Sequence, residues 1–177
     1  MPHLTLERPP ASEYAPYQAG YVACVPEGDI FEILSRQGAA FPEFLHSIGE
    51  SRGNHRYATG KWTVKEVIGH VNDTERVFAY RALRFARGDE TPLASFEQDE
   101  YVPIGNFGAR TLASLADEFA HLRAATLDLY YYLDADALAR RGSASGFVVS
   151  VRAMAYVIAG HVAHHEQILK ERYLERR

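Results

Sequence analysis

The sequence predicts an all-α protein: a four-helix bundle with a long crossover connection and an extended N-terminal arm. Three observations carry this expectation. Apolar residues recur at helical spacing through four segments. Those segments open on residues that cap helices well: Asp29, Thr63, Thr111 and Ser150. Residues 88–110 are too long for a simple antiparallel turn, so they read as a crossover or a functional loop.

Residues 1–27 form the arm. Pro2, Pro9, Pro10, Pro16 and Pro26 alternate with Tyr14, Tyr17 and Tyr21, whose rings suit packing on a helical surface. The first helix follows Asp29, with Glu32 placed as in a capping box. Pro42 should kink or divide it near Phe41. After the loop "ESRGNHRYATGK", Thr63 and Glu66 form the clearest capping box, and Trp62 and Val67 fit a hydrophobic staple. The second helix runs to Gly88 with Val64, Val67, Ile68, Val71, Phe78, Ala82 and Phe85 on one face. The third starts near Thr111 and carries Leu112, Leu115, Phe119, Leu122, Leu129 and Leu133. "DADALARRG" suits a short helical turn, and "SASGFVVS" a loop or short extended piece that alone cannot make a sheet. The last helix runs from Ser150 to about Tyr173. No repeat or composition break marks a boundary, so 1–177 reads as a single domain.

Composition excludes several classes. The hydrophobic fraction of 47% argues against a disordered chain. A net charge of −4, with no long basic run, gives no electrostatic case for nucleic acid. The basic end "LKERYLERR" reads as a solvated last turn. No segment is apolar enough to span a membrane, and the N-terminus lacks the apolar stretch of a secretory signal, so a cytoplasmic protein is expected. Cys24 is the one cysteine and reads as a buried apolar residue; no internal disulfide or cysteine-based metal site can form.

The last helix concentrates histidine: His161, His164 and His165 in "AGHVAHHEQ". Residues four apart on an α-helix sit about 40° from one another. His161 and His165 therefore share the face of Met154, Ile158 and Leu169, and His164 sits nearer its edge. Two histidines on a buried turn each need a polar partner. Spacing alone leaves core histidines and a metal pair both open. A third ligand would come from elsewhere. His3 is in the arm and His55 in a loop; His46 is near a helix end, and His121 is offset from its core face. His70 lies in the second helix beside Val67, Val71 and Thr74, and neighbouring helices are close enough to share an ion. Three imidazoles would leave an open position, the catalytic pattern. "HVAHH" lacks the glutamate that metalloproteases place after the first histidine, and Glu166 should point away.

"KWTVKEVIGHVNDTERVFAYRALRFARGD", "SFEQDEYV" and "AYVIAGHVAHHEQILKERY" together resemble the DinB-like superfamily, which includes YfiT-type proteins. The resemblance covers nearly the whole chain. It implies an up-down-down-up four-helix bundle, often dimeric, with a divalent metal on three histidines. Carried over, those positions are His70, His161 and His165, and His164 becomes a neighbour. Members include thiol-dependent S-transferases, maleylpyruvate-isomerase-like enzymes and metal-dependent hydrolases, and a shared fold does not choose among them.

The expected function is activation of a thiol or water on a divalent metal, zinc or nickel before iron or manganese. A small-molecule substrate, a low-molecular-weight thiol co-substrate and a homodimer complete that expectation. The alternative is a non-enzymatic small-molecule-binding or stress-response protein with the same metal site. Phe96, Asp99, Glu100 and Tyr101 of the crossover are candidate substrate contacts. Thr74 and Glu66 flank His70 at four residues, although the capping box already employs Glu66. Arg81, about 16 Å along the helix from His70, reads first as a solvated or ion-paired structural arginine and second as a partner for a crossover carboxylate.

Overall fold

The computed structural model describes residues 6–174; His3 and the terminal Glu175, Arg176 and Arg177 lie outside them. Within the arm, two 3-10 turns lead into the short helix α1 (Ala19–Cys24). Four long helices follow: α2 (Ile30–Ile48), α3 (Val64–Ala86), α5 (Leu112–Tyr131) and α7 (Val151–Ile168). The crossover between α3 and α5 contains α4 (Gln98–Ile104). Between α5 and α7 lie α6 (Ala135–Ala139) and the strands β1 (Arg141–Ala144) and β2 (Phe147–Ser150).

The bundle has the expected four-helix form. α2 and α3 each pack against both α5 and α7, so successive helices α2 and α3 stand diagonally across the core. The caps fall where the sequence places them. Thr63 Oγ1 accepts from the Glu66 amide at 3.1 Å, and Glu66 returns the bond to the Thr63 amide at 2.6 Å. Asp29, Thr111 and Ser150 cap α2, α5 and α7 by the same logic.

Three local expectations change. Pro42 does not divide α2, which runs through it unbroken. Phe41, Leu45 and Ile48 are buried with Ile33 and Leu34, and that packing holds both halves against the roughly 3 kcal/mol a helical proline costs. "SASGFVVS" is an antiparallel hairpin, pairing Arg141 with Ser150 through Ala144 with Phe147. Its turn places Ser145 and Gly146 at positive φ, and Leu93 of the crossover bridges to Ala144 as a third short contact. Cys24 is only half-buried.

Two apolar clusters fill the bundle. One gathers α6, the hairpin, the arm and the first half of α7; the other gathers the end of α2, the start of α3 and the far end of α7. Ile158 belongs to the first and Val162 to the second, so the turn carrying His161 sits at their junction. No described helix is long and apolar enough to cross a membrane.

Candidate metal centre

Helix α3 carries His70 at the end of its second turn, and α7 carries His161 and His165 one turn apart. All three are buried, at 3%, 4% and 8% exposure. One nitrogen from each lies within 4.8 Å of the others. His70 Nε2 and His161 Nε2 approach to 3.1 Å. The ring centroids are 5.0 Å apart for His70–His161, 4.9 Å for His70–His165 and 4.5 Å for His161–His165.

Close packing onto α3 and α7 depends on the glycine that precedes His70 and His161. A Cβ on Gly69 would sit 2.3 Å from the Phe107 ring. A Cβ on Gly160 would meet the Tyr21 carbonyl at 1.9 Å, so the arm lies against α7 only because this residue has no side chain.

Electrostatics keep the rings neutral. Burial pushes His70 down to about 4 and His165 down to about 3. His161 falls well below the ordinary range through burial and the three neighbouring imidazoles. Asp99 of α4 acts on His70 in the opposite direction. Neutral imidazoles offer lone pairs, the form a metal requires. Thr74 Oγ1 lies 3.4 Å from His70 Nδ1 and can accept a hydrogen bond from its N–H, which leaves the Nε2 lone pair free. His165 Nδ1 is buried with no hydrogen-bond partner. Two imidazoles on one tetrahedral ion hold their nitrogens about 3.3 Å apart, close to the Nε2 separation here. The donor set therefore fits a divalent metal.

Aromatic rings wall the cluster. Trp62 lies 5.0 Å from His70, while Tyr21 and Phe78 lie 5.3 Å and 5.9 Å from His161. His164 sits beside the cluster, 5.1 Å from His165 and 5.4 Å from Tyr21. Glu66 stays in its capping box, and Glu166 pairs with Lys170 at 2.5 Å. His46, His55 and His121 are exposed and apart from the site. Phe96 stacks near Tyr101 at 5.6 Å, and Glu100 is exposed. Arg81 is buried rather than solvated and has no ion pair among the described residues: it bonds the crossover through the Ala94 carbonyl rather than through a carboxylate. A cavity of about 880 Å³ lies elsewhere, lined by Phe31, Arg36, Tyr130 and Tyr132 among others, with no histidine in its lining. The sequence reading did not single out Phe78 or the glycines as parts of the site; the Gly-His pairs at 69–70 and 160–161 were the available signal.

Known proteins share this architecture. YfiT from Bacillus subtilis, described as a probable metal-dependent hydrolase with an unusual four-helix bundle topology, superposes with a TM-score of 0.70 at 15% identity. The alignment covers 93% of this chain and 90% of that one. A mycothiol-dependent maleylpyruvate isomerase gives 0.65 at 16% identity, covering 82% of this chain and 61% of that one. At such identities the likeness is one of fold. No curated protein matches the chain. The model of the DinB superfamily matches residues 33–169, from within the first turn of α2 to the end of α7. That span encloses all three histidines, and the chain belongs to the DinB superfamily.

Proposed function

We propose that the chain is a single-domain metal-dependent enzyme in which His70, His161 and His165 hold one divalent ion, zinc or nickel before iron or manganese. One observation carries this reading: three neutral, buried imidazoles converge from two helices, and apart from the His70–His161 contact between the rings themselves only the Thr74 hydroxyl partners them among the described residues. Burying such groups without partners costs stability, and one shared cation satisfies all three.

When bound, a divalent ion supplies Lewis acidity that lowers the pKa of a thiol or water. The chain's own residues do the rest. Thr74 orients His70. Trp62, Tyr21 and Phe78 exclude bulk water and strengthen electrostatics at the site. No carboxylate is hydrogen-bonded to the three rings among the described residues, so a proton leaving the nucleophile would pass to solvent or to substrate. This favours a nucleophile that ionises readily once polarised, such as a low-molecular-weight thiol, with transfer to an electrophilic substrate. Water as nucleophile makes the same site a hydrolase. A cytoplasmic homodimer is the setting this reading expects.

Elemental analysis of the purified chain should return about one divalent metal per chain. Panels of thiols with electrophiles, and of hydrolysable esters and amides, should then show turnover that a chelator abolishes. A His161→Ala/His165→Ala variant should lose both metal and turnover. Full activity in that variant, or no binding of added zinc by the wild type, overturns the proposal.

A further inference from the structure

Three cations are almost wholly buried among the described residues: Lys65, Arg81 and Arg123. Lys65 pairs with Glu50 at 2.6 Å and Arg123 with Glu75 at 2.8 Å. Arg81, 3% exposed, has no carboxylate within ion-pair distance among the described residues. A buried charge without a counter-charge is costly, and such groups are ordinarily paired.

The contacts Arg81 does make use one nitrogen. Nη2 donates to the Ala94 carbonyl at 2.8 Å and to Ser145 Oγ at 3.0 Å. The guanidinium lies within 5.9 Å of the Phe78 ring and 5.8 Å of the Phe96 ring. Nε and Nη1 donate to no described residue. Neither is among the fully enclosed polar atoms that lack a partner, so both keep a solvent-facing edge. Stapling the crossover to the hairpin does not account for the charge. Leu93 already ties them, donating to the Ser143 carbonyl at 2.9 Å and accepting from the Ser145 amide at 3.0 Å.

Position links this group to the histidines. Phe78 touches His161 on one side and Arg81 on the other, and Phe78 and Arg81 are three apart on α3. Tyr17 and Tyr21 repeat the arrangement from the arm. Tyr21 packs on His161, and Tyr17, four residues earlier, is close enough to Arg81 to act on its ionisation. Two aromatic rows thus run from the histidine cluster to a cation that lacks an anion.

We infer that Arg81 anchors the substrate of the histidine site by an oxyanion group, a carboxylate or a phosphate, with the substrate lying along Phe78 and Tyr21 between the two ends. The assignment of the reacting end rests on the metal-site reading; the anion-binding end does not need it. Charge-assisted bonds to Nη1 and Nε would complete the guanidinium and restrict the site to anionic substrates.

The test uses the full chain, once treated with chelator and once loaded with zinc. The probes are 3-phenylpropionate, its neutral amide and inorganic phosphate, followed by calorimetry. At least one anion should bind saturably and the amide at least tenfold more weakly. Phenylpropionate alone would assign a carboxylate, phosphate alone a phosphoryl group, and either supports the inference. Arg81→Gln should weaken anion binding roughly 10–100-fold while zinc affinity holds, and Arg81→Lys should recover part of the loss. Saturable binding of acid and amide with equal affinity by the wild type, no saturable binding of either anion, or equal anion affinity in Arg81→Gln overturns it. Anion against amide binding in the wild type, with phenylpropionate and phosphate both measured, decides even if the variants misfold. Anion discrimination in a chain that binds no zinc would leave Arg81 assigned and remove the metal reading alone.

Discussion

Helix α3 contributes to two buried polar clusters that end in opposite states. Five residues after His70, Glu75 meets Arg123 of α5, which is 0% exposed. Arg123 Nε and Nη2 donate to the two carboxylate oxygens at 2.8 and 2.9 Å. Its Nη1 donates to the Leu34 carbonyl at 3.2 Å and to Gln37 Oε1 at 3.0 Å. Gln37 Nε2 then reaches the Ala159 carbonyl of α7 at 2.9 Å. All four bundle helices join in one network, and every nitrogen of the guanidinium has an acceptor. The histidine cluster, also buried and sharing α3 through His70, has one ring–ring contact, one long hydroxyl contact and an orphaned His165 Nδ1. The difference separates architecture from function. A buried polar group that is fully paired holds the fold, whereas one left short of partners calls for another explanation, and a ligand is the one proposed for the histidines.

The largest effect should come from opening the complete network. Glu75→Gln leaves the guanidinium buried without its counter-charge and should cost about 3–5 kcal/mol in urea denaturation. Glu75→Leu combined with Arg123→Met removes both charges and should cost less than Glu75→Gln alone. Zinc affinity measured on the folded fraction should be retained in each. A double variant no more stable than the single one would show that Glu75 and Arg123 are not acting as a pair.

The two clusters were unequally legible in the sequence. His161 and His165 lie on one helix, where the four-residue repeat is a local property, and His70 stands in the helix with the strongest capping box. Periodicity and caps therefore reached the histidines and all four long helices. Glu75 and Arg123 lie on different helices, and each alone looks like any solvated charge. Only the diagonal placement of α2 and α3, with α5 between them, brings Arg123 to both. The hairpin was missed for a related reason: strands of four residues carry almost no period, and their pairing depends on the turn at Ser145–Gly146. Pro42 misled because local backbone cost was weighed without the burial of Phe41 and Leu45. Arg81 was placed on the correct side of α3, but its lack of a carboxylate is visible only in three dimensions.

A network at the edge of the bundle gives an intermediate effect and a pH signature. Glu13 of the arm accepts from Arg152 Nε at 2.6 Å and Ser150 Oγ at 2.8 Å. The Arg152 hydrogen bond, opposed by burial and aided by Ser150, pulls its carboxyl from 4.5 down to about 2. A folded-state value below the unfolded one stabilises the fold at pH above 4.5, and that contribution is lost as pH falls from 4.5 to about 2. The loss should be about 2 kcal/mol. Thermal melts across this window should fall more steeply for wild type than for Glu13→Gln. Parallel curves would mean that the arm is held by its apolar contacts, such as Tyr14 and Tyr21, rather than by the paired charge.

The smallest effect belongs to the incomplete cluster and is the sharpest test of the comparison. In metal-free protein, His165→Leu removes a buried Nδ1 that has no partner and adds apolar contact at similar volume. The change in stability should be within about 1 kcal/mol and can favour the variant, because an unsatisfied polar group contributes nothing that leucine would forfeit. Adding zinc should then raise the melting temperature of the wild type, since a ligand that binds only the folded chain stabilises it, and should leave His165→Leu unmoved. Glu75→Gln should show the reverse pattern: a large loss without metal and an undiminished response to zinc. If metal-free His165→Leu were as damaging as Glu75→Gln, the histidines would be holding the bundle together on their own, and the distinction between a fully paired network and an incompletely paired histidine cluster would fail.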